Sequence, residues 1–327
     1  MQRKHFNALL AGLLATASLG IPVHAQEKPV IKIWVGFPPG GAADSLARLL
    51  SDKLRDALGQ QVIVENKPGV GGRIAAQAIK AAPPNGQHYM IAPNATFVFQ
   101  HLTYSVKELG YDMNTDFTPV AQLTSYPMTM VVNSSIHARN AKEYVNWLKS
   151  NPSKGNFGTA GAGGDTHFNG LEFSRIAGVP MQVVPYRGNA PLVVDLVGNQ
   201  IQTGIMPIGD AIQHIRSGKL NPIGIFAARR SSMAPEVPTM AEQGFDTGGT
   251  DGWMGMWGPA KLDPKERDRM QAALKQVLEL PDVKQSILNN FVQLAEFKSG
   301  SEIEKQLKYE LGHWGPIIRA SGFKPTP

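Results

Sequence analysis

No cysteine occurs in the 327 residues. That absence excludes thiol catalysis, disulfide staples and thiolate metal sites together. Long apolar runs are scarce too: beyond the N-terminal segment no stretch is long and apolar enough to cross a bilayer as a helix. The formal net charge is +6, yet no run of Lys and Arg and no basic–aromatic stripe occurs, so nucleic acid is not an expected partner. A Walker motif is missing, as is a strict Gly-x-Gly-x-x-Gly with a downstream ribose acid, which leaves a nucleotide cofactor without support. His-Glu-x-x-His is absent and the eight histidines are dispersed, which argues against a catalytic metal. There is no serine nucleophile elbow and no long-period repeat. The expectation is a protein without cofactor or metal.

What remains is a packed globular chain, with 42% hydrophobic and 18% charged residues. Its 34 glycines and 24 prolines imply many turns, which suits strands and helices joined by short connections. The start has its own pattern. Arg3, Lys4 and His5 precede an apolar run from Phe6 to Ile21 that ends in Val23-His24-Ala25. These are the three regions of a secretory signal peptide over residues 1–25, cleaved after Ala25. No cysteine follows to carry a lipid, so the expected mature protein is soluble, exported and, in a Gram-negative cell, periplasmic. A mildly positive surface would concentrate small anions around it.

One stretch organises the rest. Val30 to Val35 is apolar and β-branched and reads as a buried strand; Leu46, Leu49, Leu50, Leu54 and Leu58 then recur at helical spacing. Between them lies Phe37-Pro38-Pro39-Gly40-Gly41-Ala42-Ala43-Asp44. Two prolines stiffen this turn, two glycines let backbone approach a guest, and Asp44 or Ser45 is placed to cap the helix. The helix start offers free N–H donors and partial positive charge. Alone, the stretch reads equally as an anion cradle or as an ordinary strand-to-helix turn.

The same strand, glycine turn and helix unit recurs. Gln61 to Glu65 is followed by Asn66-Lys67-Pro68-Gly69-Val70-Gly71-Gly72-Arg73 and a helix from Ile74 to Ala81. A strand from His88 to Ala92 ends at Asn94-Ala95-Thr96. Val120 to Val132 holds two apolar runs broken at Thr124-Ser125-Tyr126-Pro127, a candidate crossing between domains. Gly155 to Thr159 feeds the third glycine turn, Ala160 to His167, and a helix through Ala177. Strands follow at Met181–Pro185, Ile201–Met206, Ile223–Ala227 and Trp253–Trp257, with a second glycine-rich break at Asp246–Gly252; the remaining tail reads as helical. Strand–helix alternation predicts an α/β protein with largely parallel sheets. In such sheets ligands sit outside the carboxyl ends of the strands, where these turns lie. His167 could meet a ligand carboxylate, but packing or capping is the commoner role of such a histidine. Tyr186-Arg187-Gly188 places a hydroxyl and a guanidinium at another strand end.

These segments, in this order, resemble a known family. Phe37 to Asp44 followed by Arg48 is similar to its Tyr/Phe-Pro-x-Gly-Gly-x-x-Asp-x-x-x-Arg segment, and Glu65 to Gly72 to its Glu-Asn-(Lys/Arg)-Pro-Gly-Ala-Gly-Gly. Pro84-Asn85-Gly86-Gln87 departs slightly from the usual Pro-Asp-Gly-Tyr, while Gly161 to His167, Tyr186 to Pro191 and Gly218-Lys219-Leu220 match. The family is the Bug, or TctC-like, group of periplasmic receptors of tripartite tricarboxylate transporters. The resemblance implies a two-domain periplasmic-binding-protein fold of type II-like form, closing on a small organic carboxylate. It places one domain at 27–126 plus 250–327 and the other at 127–249. It implies ligand contacts at Phe37, Pro39, Gly40, Ala43, Asn94, Thr96, Thr159, Gly163, Thr166, His167 and Tyr186, and Asp210 stands at a further strand end. Asp165 stands where a small residue is commoner, and there it would repel an anion or cap the helix. The expected partners are a carboxylate and membrane transporter subunits, with the receptor a monomer. A ligand-presenting sensor for a membrane kinase, or an α/β enzyme acting on a carboxylate, are the alternatives.

Overall fold

Ile31, Ile33 and Val35 are fully buried and alternate with half-buried neighbours, the period-two pattern of a strand, β1 (Ile31–Val35). The structure, a computed structural model, describes residues 29–291 and 293–325; the expected signal peptide lies outside them. β1 pairs in parallel with β2 (Val62–Asn66) on one side and β3 (His88–Pro93) on the other. Leu46, Leu50, Leu54 and Leu58 form the buried face of the helix Ala42–Leu58, packed on this sheet, with Leu49 half-buried beside them.

The sheet is completed by β4 (Phe117–Tyr126), β10 (Gly252–Pro259) and β11 (Leu294–Ser299), in the order β11-β4-β10-β3-β1-β2. β10 runs antiparallel to both of its neighbours. A second sheet has the order β7-β6-β8-β5-β9, built from β5 (Met128–Asn133), β6 (Asn156–Thr159), β7 (Gln182–Pro185), β8 (Thr203–Pro207) and β9 (Leu220–Ile225). β6 pairs in parallel with β7 and β8, whereas β5 runs antiparallel to β8 and β9. The architecture is α/β with two sheets, as expected, but the sheets are mixed rather than largely parallel. The reason is topological. The chain leaves the first sheet along β4, passes through Pro127 directly into β5, and returns later as β10 between β3 and β4. An outgoing and a returning strand placed side by side must be antiparallel, and periodicity carries no strand direction.

Two further expectations are corrected. The break at Thr124–Pro127 narrows to Pro127 alone, because Thr124 and Ser125 continue β4 by pairing with β10. The buried Thr124 hydroxyl is satisfied by Gln293 Oε1 at 2.6 Å, so a polar residue here does not mark a loop. The tail is not all helical: β11 separates the helices Pro281–Phe291 and Gly300–Ser321. All six residues of β11 are half-buried, so this edge strand lacks the apolar alternation that would reveal it.

Phe97 packs against Tyr111, Phe117 and Trp257, with ring centroids at 6.4, 4.9 and 4.0 Å. This aromatic cluster fixes the helix Asn94–Thr103 on the first sheet. Among the described residues, no helix is long and apolar enough to cross a membrane.

Candidate functional site

Asp44 does not cap its helix. The N-cap is Gly41, which has no side chain to offer, and Asp44 turns back instead. Its carboxylate accepts the Gly40 N–H at 2.9 Å, Arg48 Nε at 3.0 Å and Asn66 Nδ2 at 2.8 Å. Burial opposes ionisation of this carboxyl, but the bonds from Arg48, Gly40 and Asn66 outweigh it and hold its pKa below the ordinary value. One acid thus ties the first glycine turn to the second. The two turns also touch directly, because a Cβ built on Gly36 would lie 2.5 Å from the Cα of Gly72.

Beside this junction lies a cavity of about 420 Å³. One side is formed by Phe37, by Val70, Gly71 and Arg73 of the second turn, and by the start of the helix Asn94–Thr103. The other side is the third glycine turn, Ala160 to Gly164, with Asp165 and Thr166 at the start of the helix Asp165–Ala177. Both helices begin without a side-chain cap, at Pro93 and Gly164. The helix Asn94–Thr103 has no acid in its first turn, so its first backbone donors and positive dipole end are available at the cavity, an arrangement suited to an anion. At the start of the other helix the Asp165 carboxylate already takes the Thr166 N–H. Phe99, Tyr104 and Phe323 line it as well and make part of the wall apolar.

The residues expected at the site fall into three groups. Phe37, Thr96, Gly163 and Thr166 line the cavity. Asn94, Thr159 and His167 stand behind the wall. Asn94 is buried between Glu310 and the Trp253 backbone. The Thr159 hydroxyl donates to the Gly161 carbonyl, and His167 Nδ1 accepts the Gly163 N–H at 2.9 Å. The imidazole stacks on Phe168 and meets Phe323 edge-on, and burial pushes its pKa down, toward the neutral form. It shapes the third turn, in line with a packing role. Pro39, Gly40, Ala43, Tyr186 and Asp210 are outside the lining. Gly40 has its amide committed to Asp44, Tyr186 donates to Asp195 at 2.9 Å, and exposed Asp210 accepts from Asn189 at 2.6 Å.

Sequence reasoning missed Arg73. Its guanidinium lies over the Tyr104 ring at 4.2 Å, and Nη1 makes a long bond of 3.4 Å to the Glu108 carbonyl. Its side chain lines the cavity, and its Nε is buried with no hydrogen-bond partner among the described residues. A planar fork of donors is the group best matched to a carboxylate. There was a signal: Arg73 is the first residue of the helix Arg73–Lys80, where a cation opposes the helix dipole. Such a local conflict marks a residue held for another purpose. Phe323 could not have been found this way, since it reaches the cavity from the far end of the chain.

Asp165 is the reverse case. It lines the cavity half-buried, and Oδ1 accepts the neighbouring Thr166 N–H at 2.8 Å. Burial raises its pKa from the ordinary 3.8 to about 6. The folded pKa lies above the unfolded one, so the folded state binds the proton more tightly. Stability therefore falls as pH rises from about 4 through about 6, and the full cost is present above that range. Asp165→Asn keeps the acceptor for Thr166 and removes the charge. It should raise the unfolding free energy at pH 7.5 by about 1–2 kcal/mol, after allowing for partial solvent screening. At pH 4 the difference should nearly vanish. Thermal melts of both proteins across pH 4–8 check this, and an equal shift at every pH would reject it.

Residues 46–323 match the family described as the tripartite tricarboxylate transporter family receptor. The chain belongs to this family. The receptor is 31% identical over 260 residues to Protein BugT of Bordetella pertussis, covering 79% of each chain. A solved periplasmic transporter is 29% identical, with 92% of this chain and 99% of that one covered and a TM-score of 0.76. MatC from Rhodopseudomonas palustris, solved with bound malate, is 26% identical at a TM-score of 0.72, over 89% of this chain and 99% of its own. The resemblance drawn from the glycine turns is borne out, and so is the two-domain binding-protein fold. The family consists of periplasmic solute-binding receptors and is not a family of enzymes.

Proposed function

We propose that this receptor captures a small organic carboxylate in the periplasm and delivers it to the membrane subunits of a tripartite tricarboxylate-type transporter, acting as a monomer and without altering it. One observation carries the reading: the uncapped start of the helix Asn94–Thr103 and the Arg73 guanidinium, whose Nε has no partner among the described residues, meet at one cavity between the two sheets. MatC, of similar fold, holds a carboxylate, which supports the ligand class. The leader pattern at residues 1–25 supports export.

In this reading the ligand carboxylate sits against Arg73 and Thr96, with Phe37 as a wall and Gly163 and Thr166 bounding the ligand from the other half. Asn94, Thr159 and His167 hold the turns in shape. Pro39, Gly40 and Ala43, and from the other side Tyr186 and Asp210, reach the ligand only when the domains close. The domains are residues 27–126 with 250–327, and 127–249. The two crossings, at Pro127 and near Gly249, absorb the dihedral change of closure.

A thermal-shift screen of mono-, di- and aromatic carboxylates tests the ligand class, since a ligand bound only by the native state raises the midpoint. A library that moves no midpoint would count against the reading, as would a product detected by mass spectrometry after incubation with the best ligand. Closure has its own check: small-angle scattering should give a smaller radius of gyration at ligand saturation, and an unchanged radius would exclude a hinge at these crossings.

A further inference from the structure

The cavity lining carries two formally charged side chains, Arg73 on one half and Asp165 on the other. Among the described residues neither forms an ion pair, so the two do not neutralise each other. Arg73 keeps a buried N–H without acceptor, and Asp165 has only a backbone donor, from its own helix start. A ligand with carboxylates at both ends would satisfy Arg73 and the start of the helix Asn94–Thr103 but would place its second charge against Asp165, where like charges repel. A ligand with a carboxylate at one end and a hydrogen-bond donor at the other satisfies both.

We infer that the ligand is an aminocarboxylate whose amino group is separated from the carboxylate by a short carbon chain. The carboxylate is taken by Arg73 and the start of the helix Asn94–Thr103, and the ammonium by Asp165 from the opposite half of the cleft. The separation follows from the lack of an Arg73–Asp165 ion pair: the ligand ends must reach two groups that do not reach each other. Phe37, Phe99 and Phe323 give the intervening methylenes an apolar surface. Pairing with an ammonium would also favour the ionised carboxylate and so offset the burial that raises the Asp165 pKa. The inference rests on the carboxylate-receptor reading and narrows its ligand.

The test uses the mature receptor and pairs of equal chain length at pH 7.5: 4-aminobutanoate with succinate, 5-aminopentanoate with glutarate, 6-aminohexanoate with adipate. Calorimetric titration should show the amino member of at least one pair binding at least tenfold tighter than its diacid. Asp165→Asn and Asp165→Ser, each confirmed folded by its melt, should reduce that ratio at least tenfold. A diacid bound as tightly as or more tightly than its amino partner in every pair overturns the inference. So does an unchanged ratio in both variants, which would leave Asp165 as a helix-start acid only. A diacid or monoacid that binds while no amino member does refutes the inference and leaves the carboxylate reading standing. If no carboxylate of any kind binds, that reading fails and the inference falls with it.

Discussion

Replacing Arg73 by alanine should weaken carboxylate binding about a hundredfold and leave the unliganded protein nearly as stable as before. A hydrogen bond to a charged group contributes about 1.5–3 kcal/mol, and a guanidinium presents two parallel donors to a carboxylate. Losing that pair costs roughly 3 kcal/mol, which is about a hundredfold in dissociation constant. Stability should change little, because Arg73 does little for the empty protein. It contributes a stacking contact with Tyr104 at 4.2 Å and one long bond of 3.4 Å to Glu108. A half-buried cation–aromatic contact is worth about 1 kcal/mol, and the cation opposes the dipole of its own helix, which offsets part of it. Arg73→Lys keeps the charge and loses the fork, so it should fall between the two. Titration of the three proteins with the best ligand from the screen decides the matter. Wild-type affinity in Arg73→Ala would mean that the carboxylate is held elsewhere, with the first glycine turn the next candidate.

Gly36→Ala should produce the largest loss of stability of any change that adds a single methyl group at the site. A Cβ on Gly36 would lie 2.5 Å from Gly72 Cα, 3.1 Å from its O and 3.2 Å from its C. All three are backbone atoms and cannot swing aside as a side chain can. Gly72 itself has φ 91° and faces Thr96, so it has no room to retreat. The turns are also bonded to each other, by Lys67 N to Val35 O at 2.8 Å and Asn66 Nδ2 to Phe37 O at 3.1 Å. Relief of the clash requires the turns to part and these bonds to stretch. Overpacking of this kind costs about 1–3 kcal/mol, occasionally more. The midpoint should drop by roughly 2–6 °C for a protein of this size. Affinity should fall as well, because Phe37, Arg73 and Thr96 all take their positions from this junction. Gly40→Ala is the control. Its Cβ meets nothing within 4 Å, so only the φ of 84° opposes it, a cost of about 1–2 kcal/mol. A melt in which Gly36→Ala is no worse than Gly40→Ala would refute the contact between the turns.

The local pattern of this chain was enough for the α/β class and for the three glycine turns, because strand and helix periods and turn chemistry are set by residues within a few positions of each other. The buried stripe Leu46, Leu50, Leu54 and Leu58 lies where its spacing put it, and β1, β2 and β3 begin and end within a residue of expectation. The order and spacing of the turns also carried the family. Strand direction was not legible, nor was β11, since both depend on which distant strand lies alongside. Asp44 illustrates the limit. By position it is a capping residue, yet its partners Gly40, Arg48 and Asn66 make it a brace between two turns. Whether a carboxylate caps, braces or repels depends on which groups surround it in space. For the same reason tertiary structure alone set Arg73 and Asp165 on opposite halves of one cavity. The two are 92 positions apart in the chain, and the electrostatic energy that makes them matter depends on distance in space and on burial, neither of which a local pattern contains.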